Sequence, residues 1–427
     1  MKLFFLFVGS LLCALASTAQ KALETIQAAE VERIERILSA DDMEGRRTFT
    51  PGIDKAAAFI AGEFKAAGLQ PVSAGSYLQS FSQIRTKFLG LESASGDTPL
   101  VAKDIIVITT QPDITVNEKS GYEWKQVKTG ENLFNIAGEV IKNKKNTIVQ
   151  VDTSFAKTFG RLTGFKRSLN KMDHSVIFIL GNYSKEKFSI HARHEITEQK
   201  LANVVGILPG KSKKDEYVIF SGHYDHLGIG KPKDGDSIFN GANDDAAGTT
   251  AVIMLAKYFS QLKDNERTLV FAAFTAEEIG GFGSQYFSKQ YDPAKVMAMF
   301  NIEMIGTESK WGTNSAYITG FDKTDMGKIL QKNLEGSEFT FYPDPYPQQQ
   351  LFFRSDNATL AALGVPAHTI STAKMDGEKY YHSVDDEIET LNMENMARII
   401  KAIAISSKGI VSGKETPTRV DVSNLTR

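Results

Sequence analysis

Two histidines and a series of carboxylates stand in this chain where apolar runs end, the placement that a metal site needs. Ser221-Gly222-His223-Tyr224-Asp225-His226 follows the apolar run 217–220, so a strand would present His223 at its carboxyl end. Asp225, two residues further on, could hold the His223 ring in the tautomer that leaves one nitrogen free for a cation. Residues 240–248, NGANDDAAG, lead into an apolar helix; Asp244 could offer one oxygen to each of two cations, and the same acids could equally cap that helix. The apolar run 268–274 leads into Thr275-Ala276-Glu277-Glu278, where neighbouring carboxylates need a cation or a helix N-terminus beside them. Phe300-Asn301-Ile302-Glu303 ends a further run on an acid, and Tyr381-His382 precedes Asp385-Asp386. Together His223, Asp244, Glu278, Glu303 and His382 form a donor set of nitrogen and oxygen alone, which suits a pair of zinc ions, with Glu277 left over.

These residues must be positioned by the elements between them. Over 28–69 apolar residues recur at helical spacing on both sides of Thr50-Pro51-Gly52, predicting two helices around a loop. From 196 the pattern alternates: strands at 202–208, 217–221, 268–274 and 296–305, a helix at 248–262 and another after Gly283. Such alternation predicts an α/β layered sheet with its working loops at the carboxyl ends of strands. Between them, 85–195 reads as an inserted, mainly β subdomain of short apolar runs and polar turns. The main layered domain is thus formed by 20–84 and 196–413, and the polar tail 414–427 is expected to fray.

The composition sets the outer limits. The 427 residues are 42% hydrophobic and 23% charged, ordinary for folded domains and long enough for more than one. With 49 Lys+Arg against 51 Asp+Glu the net charge is −2, so no global charge directs the chain to nucleic acid or an anionic membrane. Residues 1–19 combine Lys2, an apolar run and the small residues Ser17-Thr18-Ala19, predicting an export signal cut near Ala19 and a periplasmic or extracellular product. Cys13, the only cysteine, lies inside that segment, so the exported product has no thiol chemistry. Leu12 before it is larger than a lipidation site prefers.

In order and spacing these segments resemble metallopeptidase family twenty-eight, the co-catalytic dizinc aminopeptidases, whose relatives include glutamate carboxypeptidase and glutaminyl cyclase. The likeness covers roughly 28–84 and 196–410, including Asp42-Met43-Glu44-Gly45-Arg46. It implies a three-layer α/β/α zinc exopeptidase fold with a mixed central sheet, and two zinc ions. It makes His223 and Glu303 ligands of the first zinc, Asp244 the bridge, and Glu278 with His382 ligands of the second. Glu277 becomes the general base, Asp225 the group orienting His223, and Tyr381 a holder of the substrate carbonyl oxygen. The implied activity is removal of N-terminal residues from peptides.

Two positions depart from the family pattern. Glu303 stands where relatives carry Asp, and Asn357 in Arg354-Ser355-Asp356-Asn357 stands where many carry His. The insertion fits the protease-associated pattern poorly. Glutaminyl cyclisation, and a binding protein that has kept the fold without catalysis, are the competing readings. Asp356 could recognise a substrate amine or pair with Arg354 on the surface. His226 could line the pocket or bind a carbonyl, and His191 and His194, three apart on a strand, would face opposite ways. His174, His368, Trp124 and Trp311 read as ordinary packing residues.

Overall fold

The computed structural model describes residues 21–95, 98–166 and 169–425, so the export segment expected over 1–19 lies outside the described residues. The chain divides into two compact units, one of residues 81–200 and one of the flanking stretches.

The larger unit is organised by a mixed sheet. Its strands are the end of β1 (Phe188–Leu208), β2 (Lys213–His223), β3 (Arg267–Phe274), β4 (Val296–Ile302), β5 (Ser315–Ile318), β6 (Thr340–Pro343) and β7 (Ala367–Ser371), in the order β6-β5-β7-β4-β2-β3-β1. Strands β3, β2, β4 and β7 run parallel, with β1 antiparallel to β3 and β5 antiparallel to β7. Every residue of β3 is buried, because helices cover both faces of the sheet. On one face Phe220, stacked between Phe271 and Phe300 at centroid distances of 5.6 and 4.9 Å, packs with α1 (Ala28–Leu38), α2 (Pro51–Ala66), α3 (Ala247–Leu262) and α6 (Met393–Ser406). On the other, Ile219, Val270, Phe274 and Met299 meet α4 (Phe282–Ser288) and α5 (Asn357–Ala361). The three-layer α/β/α arrangement follows from this two-sided burial.

Two details differ from the sequence reading. Strand β4 stops at Ile302 rather than 305, since Met304 turns into the left-handed region at φ 53°, directly after Glu303 N donates to Ile370 O at 3.2 Å. The tail does not fray where it is described. Arg267 donates to the carbonyls of Ile410 and Glu415 at 2.7 Å each, Arg419 donates to Val296 O at 2.7 Å, and Val420 is buried. Polar composition concealed this, because the tail is held by backbone carbonyls that any sequence supplies.

The smaller unit has its own core. Ile105–Ile108, Val176–Leu180, Thr147–Val151 and Glu123–Val127 form a sheet in that order, antiparallel at the first pairing and parallel at the others. The parallel pairing of Glu123–Val127 with Thr147–Val151 needs a crossover, supplied by the helix Leu133–Lys142, which Asn132 caps by accepting from Asn135 N. This helix was not foreseen among the short β-type runs.

Candidate metal centre

The cluster forms where β2, β3 and β4 end side by side. His223 is the last residue of β2, Glu277 and Glu278 follow β3, and Glu303 follows β4. The turn Ala242–Ala246 brings Asp244 across these ends. There the two readings of the acidic pair divide between neighbours. Asp245 accepts from Gly248 N at 2.9 Å, His223 N at 3.1 Å and Met304 N at 3.1 Å, capping α3 and tying it to β2 and β4. Asp244 is left to face the cluster. Gly248 permits this approach, since a Cβ there would stand 2.1 Å from Ile302 O.

The donor atoms meet in a pattern that fits zinc. His223 Nδ1 lies 3.1 Å from the carbonyl oxygen of Asp225, which can only accept, so Nδ1 carries the proton and Nε2 a lone pair. In the neutral ring that lone pair faces Asp244 Oδ1 at 3.2 Å, an acceptor facing an acceptor; without a cation a second proton takes the place, and against the effect of burial Asp244 raises the His223 pKa well above its ordinary value. On the far side of Asp244, His382 Nε2 stands 3.3 Å from Oδ2 and 3.2 Å from Glu278 Oε2. Tetrahedral zinc with bonds of about 2.0 Å spaces its donors about 3.3 Å apart. Donor atoms of His223, Asp244 and Glu303 lie within 4.8 Å of one another, so the extra methylene of Glu303 does not prevent its approach.

His226 joins the cluster as well. Its Nδ1–H donates to Glu278 Oε1 at 2.8 Å, with Asp244 Oδ2 at 4.0 Å, and His226, Asp244 and Glu278 form a second group of converging donors. The signal in the sequence was its position three residues after His223, at the same strand end.

The electrostatics point the same way. Burial pushes the carboxyls of Asp225 and Glu303 up to about 7. Burial likewise raises Glu277, despite the nearby His223, and Asp356 and Glu303 add to the rise. Asp244 and Glu278 move the opposite way: burial opposes their ionisation, but His223 and His382 hold Asp244 low, and His226 and His382 hold Glu278 low. His382 in turn is lifted to about 10 by Asp244 and Glu278. Acids outnumber the groups that could neutralise them, the setting in which a divalent cation is stabilising. Ala276, Met304 and His382 all have left-handed backbone, with φ 63°, 53° and 54°. Strain of this kind gathers at functional sites.

Asp225 is buried, but its carboxylate stands 3.9 Å from His223 Nδ1 and accepts instead from the main-chain N–H of Glu277 at 3.0 Å and Glu278 at 3.4 Å. The imidazole is oriented by the Asp225 carbonyl, while the carboxylate orients the Glu277-Glu278 turn. Tyr381 stacks on His382 at 3.9 Å between centroids and lines a cavity of about 40 Å³ with Glu303, Tyr317, Leu351, Arg354 and Met375. Asn357 is buried, donating to Phe352 O at 3.0 Å and accepting from Thr369 Oγ1 at 2.9 Å. Asp356 is not a surface acid: it is 2% exposed, and Arg354 donates to Gln349 instead. His368 is buried between Thr319 O and Thr324 Oγ1, and His174 lies against Ile141 O.

Residues 203–406 match the profile of Peptidase family M28. A probable zinc metalloprotease of Pyrenophora teres f. teres is 37% identical over 108 residues, 25% of this chain and 23% of that protein. The chain thus spans about a quarter of the length of the first curated relatives that it matches, 23% and 24%. Leucine aminopeptidase 1 of Sclerotinia sclerotiorum is 24% identical over 273 residues, 60% of this chain and 68% of that one. Among solved structures, the aminopeptidase from Aneurinibacillus sp. strain AM-1 superposes with a TM-score of 0.54 at 17% identity, covering 96% of this chain and 98% of that one. Porphyromonas gingivalis glutaminyl cyclase does so with a TM-score of 0.50 at 12% identity, covering 90% and 99%. At these identities the structural likeness is one of fold. The segments carrying His223, Asp244, Glu278, Glu303 and His382 all lie inside residues 203–406, the stretch that is similar to peptidase family M28.

Proposed function

We propose that the chain is a zinc-dependent aminopeptidase, with one ion held by His223, Asp244 and Glu303 and a second by Asp244, Glu278 and His382. The observation that carries this is the His223 Nε2 lone pair facing Asp244 Oδ1 at 3.2 Å, which only a cation or an added proton makes favourable. When bound there, zinc supplies Lewis acidity toward a carbonyl and lowers the pKa of water toward 7. Glu277 is the general base: burial raises its basicity well above that of an ordinary carboxylate, and the Asp225 carboxylate fixes its main chain. It takes a proton from the attacking water and returns it to the departing amine. The Tyr381 hydroxyl donates to the oxyanion that develops on the scissile carbonyl, and the cavity beside Glu303 takes the side chain of the N-terminal residue.

The aminopeptidases among the relatives support the choice of substrate class. Cyclisation of a glutaminyl peptide, suggested by the cyclase neighbour, is the second reading. The approach of Glu303 to His223 and Asp244 favours a complete first site over a single-ion centre. Export through residues 1–19 and a separate module over 85–195 belong to the same proposal. Among the described residues no helix is long and apolar enough to cross a membrane.

The test is metal analysis combined with a hydrolysis panel. Purified protein should carry zinc, and amino-acid amides should be hydrolysed in a reaction that dialysis against a chelator abolishes and zinc restores. Release of ammonia from a glutaminyl peptide without amide hydrolysis would replace the aminopeptidase by the cyclase.

A further inference from the structure

Arg46 lies outside the donor cluster and touches the loops that carry it. Its guanidinium is fully buried and donates to four main-chain carbonyls: Nε to Tyr224 at 2.9 Å, Nη1 to Leu38 at 2.6 Å and Asn240 at 2.5 Å, and Nη2 to Gly241 at 2.8 Å. Tyr224 follows His223, and Asn240 and Gly241 lead into Asp244. The carbonyl of Arg46 itself accepts from His226 N at 3.2 Å. One side chain therefore joins the loop after β2, the loop before α3 and the end of α1.

Asp386 completes the arrangement from the other side. Four residues after His382, it accepts from Asn243 N at 2.8 Å through Oδ1 and from Asp244 N at 3.0 Å through Oδ2, while its carbonyl accepts from Ala242 N at 3.0 Å. Arg46 thus sets the His223 loop against the Asp244 loop, and Asp386 sets the Asp244 loop against the His382 loop. The backbone is distorted to reach this: Glu44, Gly45 and Arg46 are consecutively left-handed, with φ 54°, 62° and 46°. A Cβ at Gly45 would stand 2.5 Å from Phe239 O and 2.8 Å from Gly228 Cα, so a side chain would push the segment away from these loops.

We propose that Arg46 and Asp386 are positioning residues that set the spacing of the metal-binding loops, so that their loss weakens zinc binding beyond any general loss of stability. This rests on the metal-centre reading above. Arg267 provides the control: it is also buried, donating to Glu216 Oε2 at 2.6 Å and to the Ile410 and Glu415 carbonyls, but it holds the C-terminal tail rather than the ligand loops.

The experiment compares Arg46→Lys with Arg267→Lys in the full chain, measuring zinc Kd by chelator competition, the visible spectrum with cobalt in place of zinc, and thermal unfolding. Both substitutions should lower Tm. Arg46→Lys should also weaken zinc binding about 10- to 100-fold, the usual effect of losing an outer-sphere contact, and shift the cobalt bands. Arg267→Lys should leave both unchanged. Zinc affinity and cobalt spectra that match between the two variants would overturn the proposal. Should Arg46→Lys not fold, Asp386→Asn replaces one accepting oxygen by an amide that opposes a main-chain N–H. Weakened zinc binding in that variant supports the proposal, and wild-type affinity overturns it. Wild-type protein that binds no zinc would overturn the metal-centre reading as well, whereas normal wild-type binding with undisturbed variants removes the positioning role alone.

Discussion

The two ends of the donor cluster are built differently. At the closed end, His223 and Glu303 sit at the ends of adjacent parallel strands, and His223 is 1% exposed. At the open end, the His382 side chain is 36% exposed on an irregular loop, stacked on the solvent-facing Tyr381. Strand ends are placed by a ladder of hydrogen bonds and a packed core, so their donors are preorganised; a loop ligand depends on a few contacts, here those of Asp386 with the Asn243-Asp244 main chain. The lesson is that one proposed ion position is fixed by the sheet and the other by a loop.

The largest expected effect falls on a group that binds neither ion. Glu277→Gln should lower kcat about 100-fold or more while leaving zinc content unchanged, because it removes the base and keeps the shape. Turnover close to wild type would remove Glu277 from the mechanism, and loss of zinc would make it a ligand. The next experiment separates the two ends. His382→Ala should reduce bound zinc by one equivalent and leave the closed-end ion tightly held, whereas His223→Ala should weaken both positions through the Asp244 that they share. Equal losses in the two variants would erase the distinction between the ends.

The smallest effect concerns the ground beneath the closed end. Glu35 of α1 is buried, accepts from Thr250 Oγ1 at 2.8 Å, and is raised by burial to about 8 despite the nearby Arg46 charge, with Asp386 adding to the rise. The unfolded chain releases this proton near the ordinary 4.5 and the folded chain only near 8, so the contribution to stability is complete below 4.5 and is lost as pH rises through 8. Glu35→Gln keeps an acceptor for Thr250 and removes the titration. Its urea stability relative to wild type should therefore improve between pH 5 and pH 8, on the order of a few kcal/mol. An identical pH dependence in both proteins would mean that Glu35 does not titrate there.

The layered fold and the principal donors were legible because their signals are local. Each acid or imidazole ends an apolar strand or opens a helix, and the strand period and the donor type can be read within about ten residues. His226 was harder to assign, since a histidine near a site can serve packing as well as binding, and its contact with Glu278 spans 52 positions. The split of roles between Asp244 and Asp245 was closed to sequence reasoning for a similar reason. Either aspartate could cap the helix, and only in the folded chain does Asp245 take that part, accepting from Gly248 N as well as from Met304 N and His223 N. Asp225 shows the same limit: its spacing from His223 was right for orienting the ring, yet a main-chain carbonyl takes that part and the carboxylate serves the next loop.

The sequence alone determined which atoms could bind a cation, the order in which they arrive, and the strands and helices that carry them, since donor chemistry and hydrophobic period are properties of residue type and short spacing. Only the tertiary structure decided how far apart the donors stand, which oxygen faces which nitrogen, and that Arg46 lies between two ligand loops and the end of α1. Those distances come from packing and hydrogen bonds between segments nearly two hundred residues apart, and no local pattern encodes them.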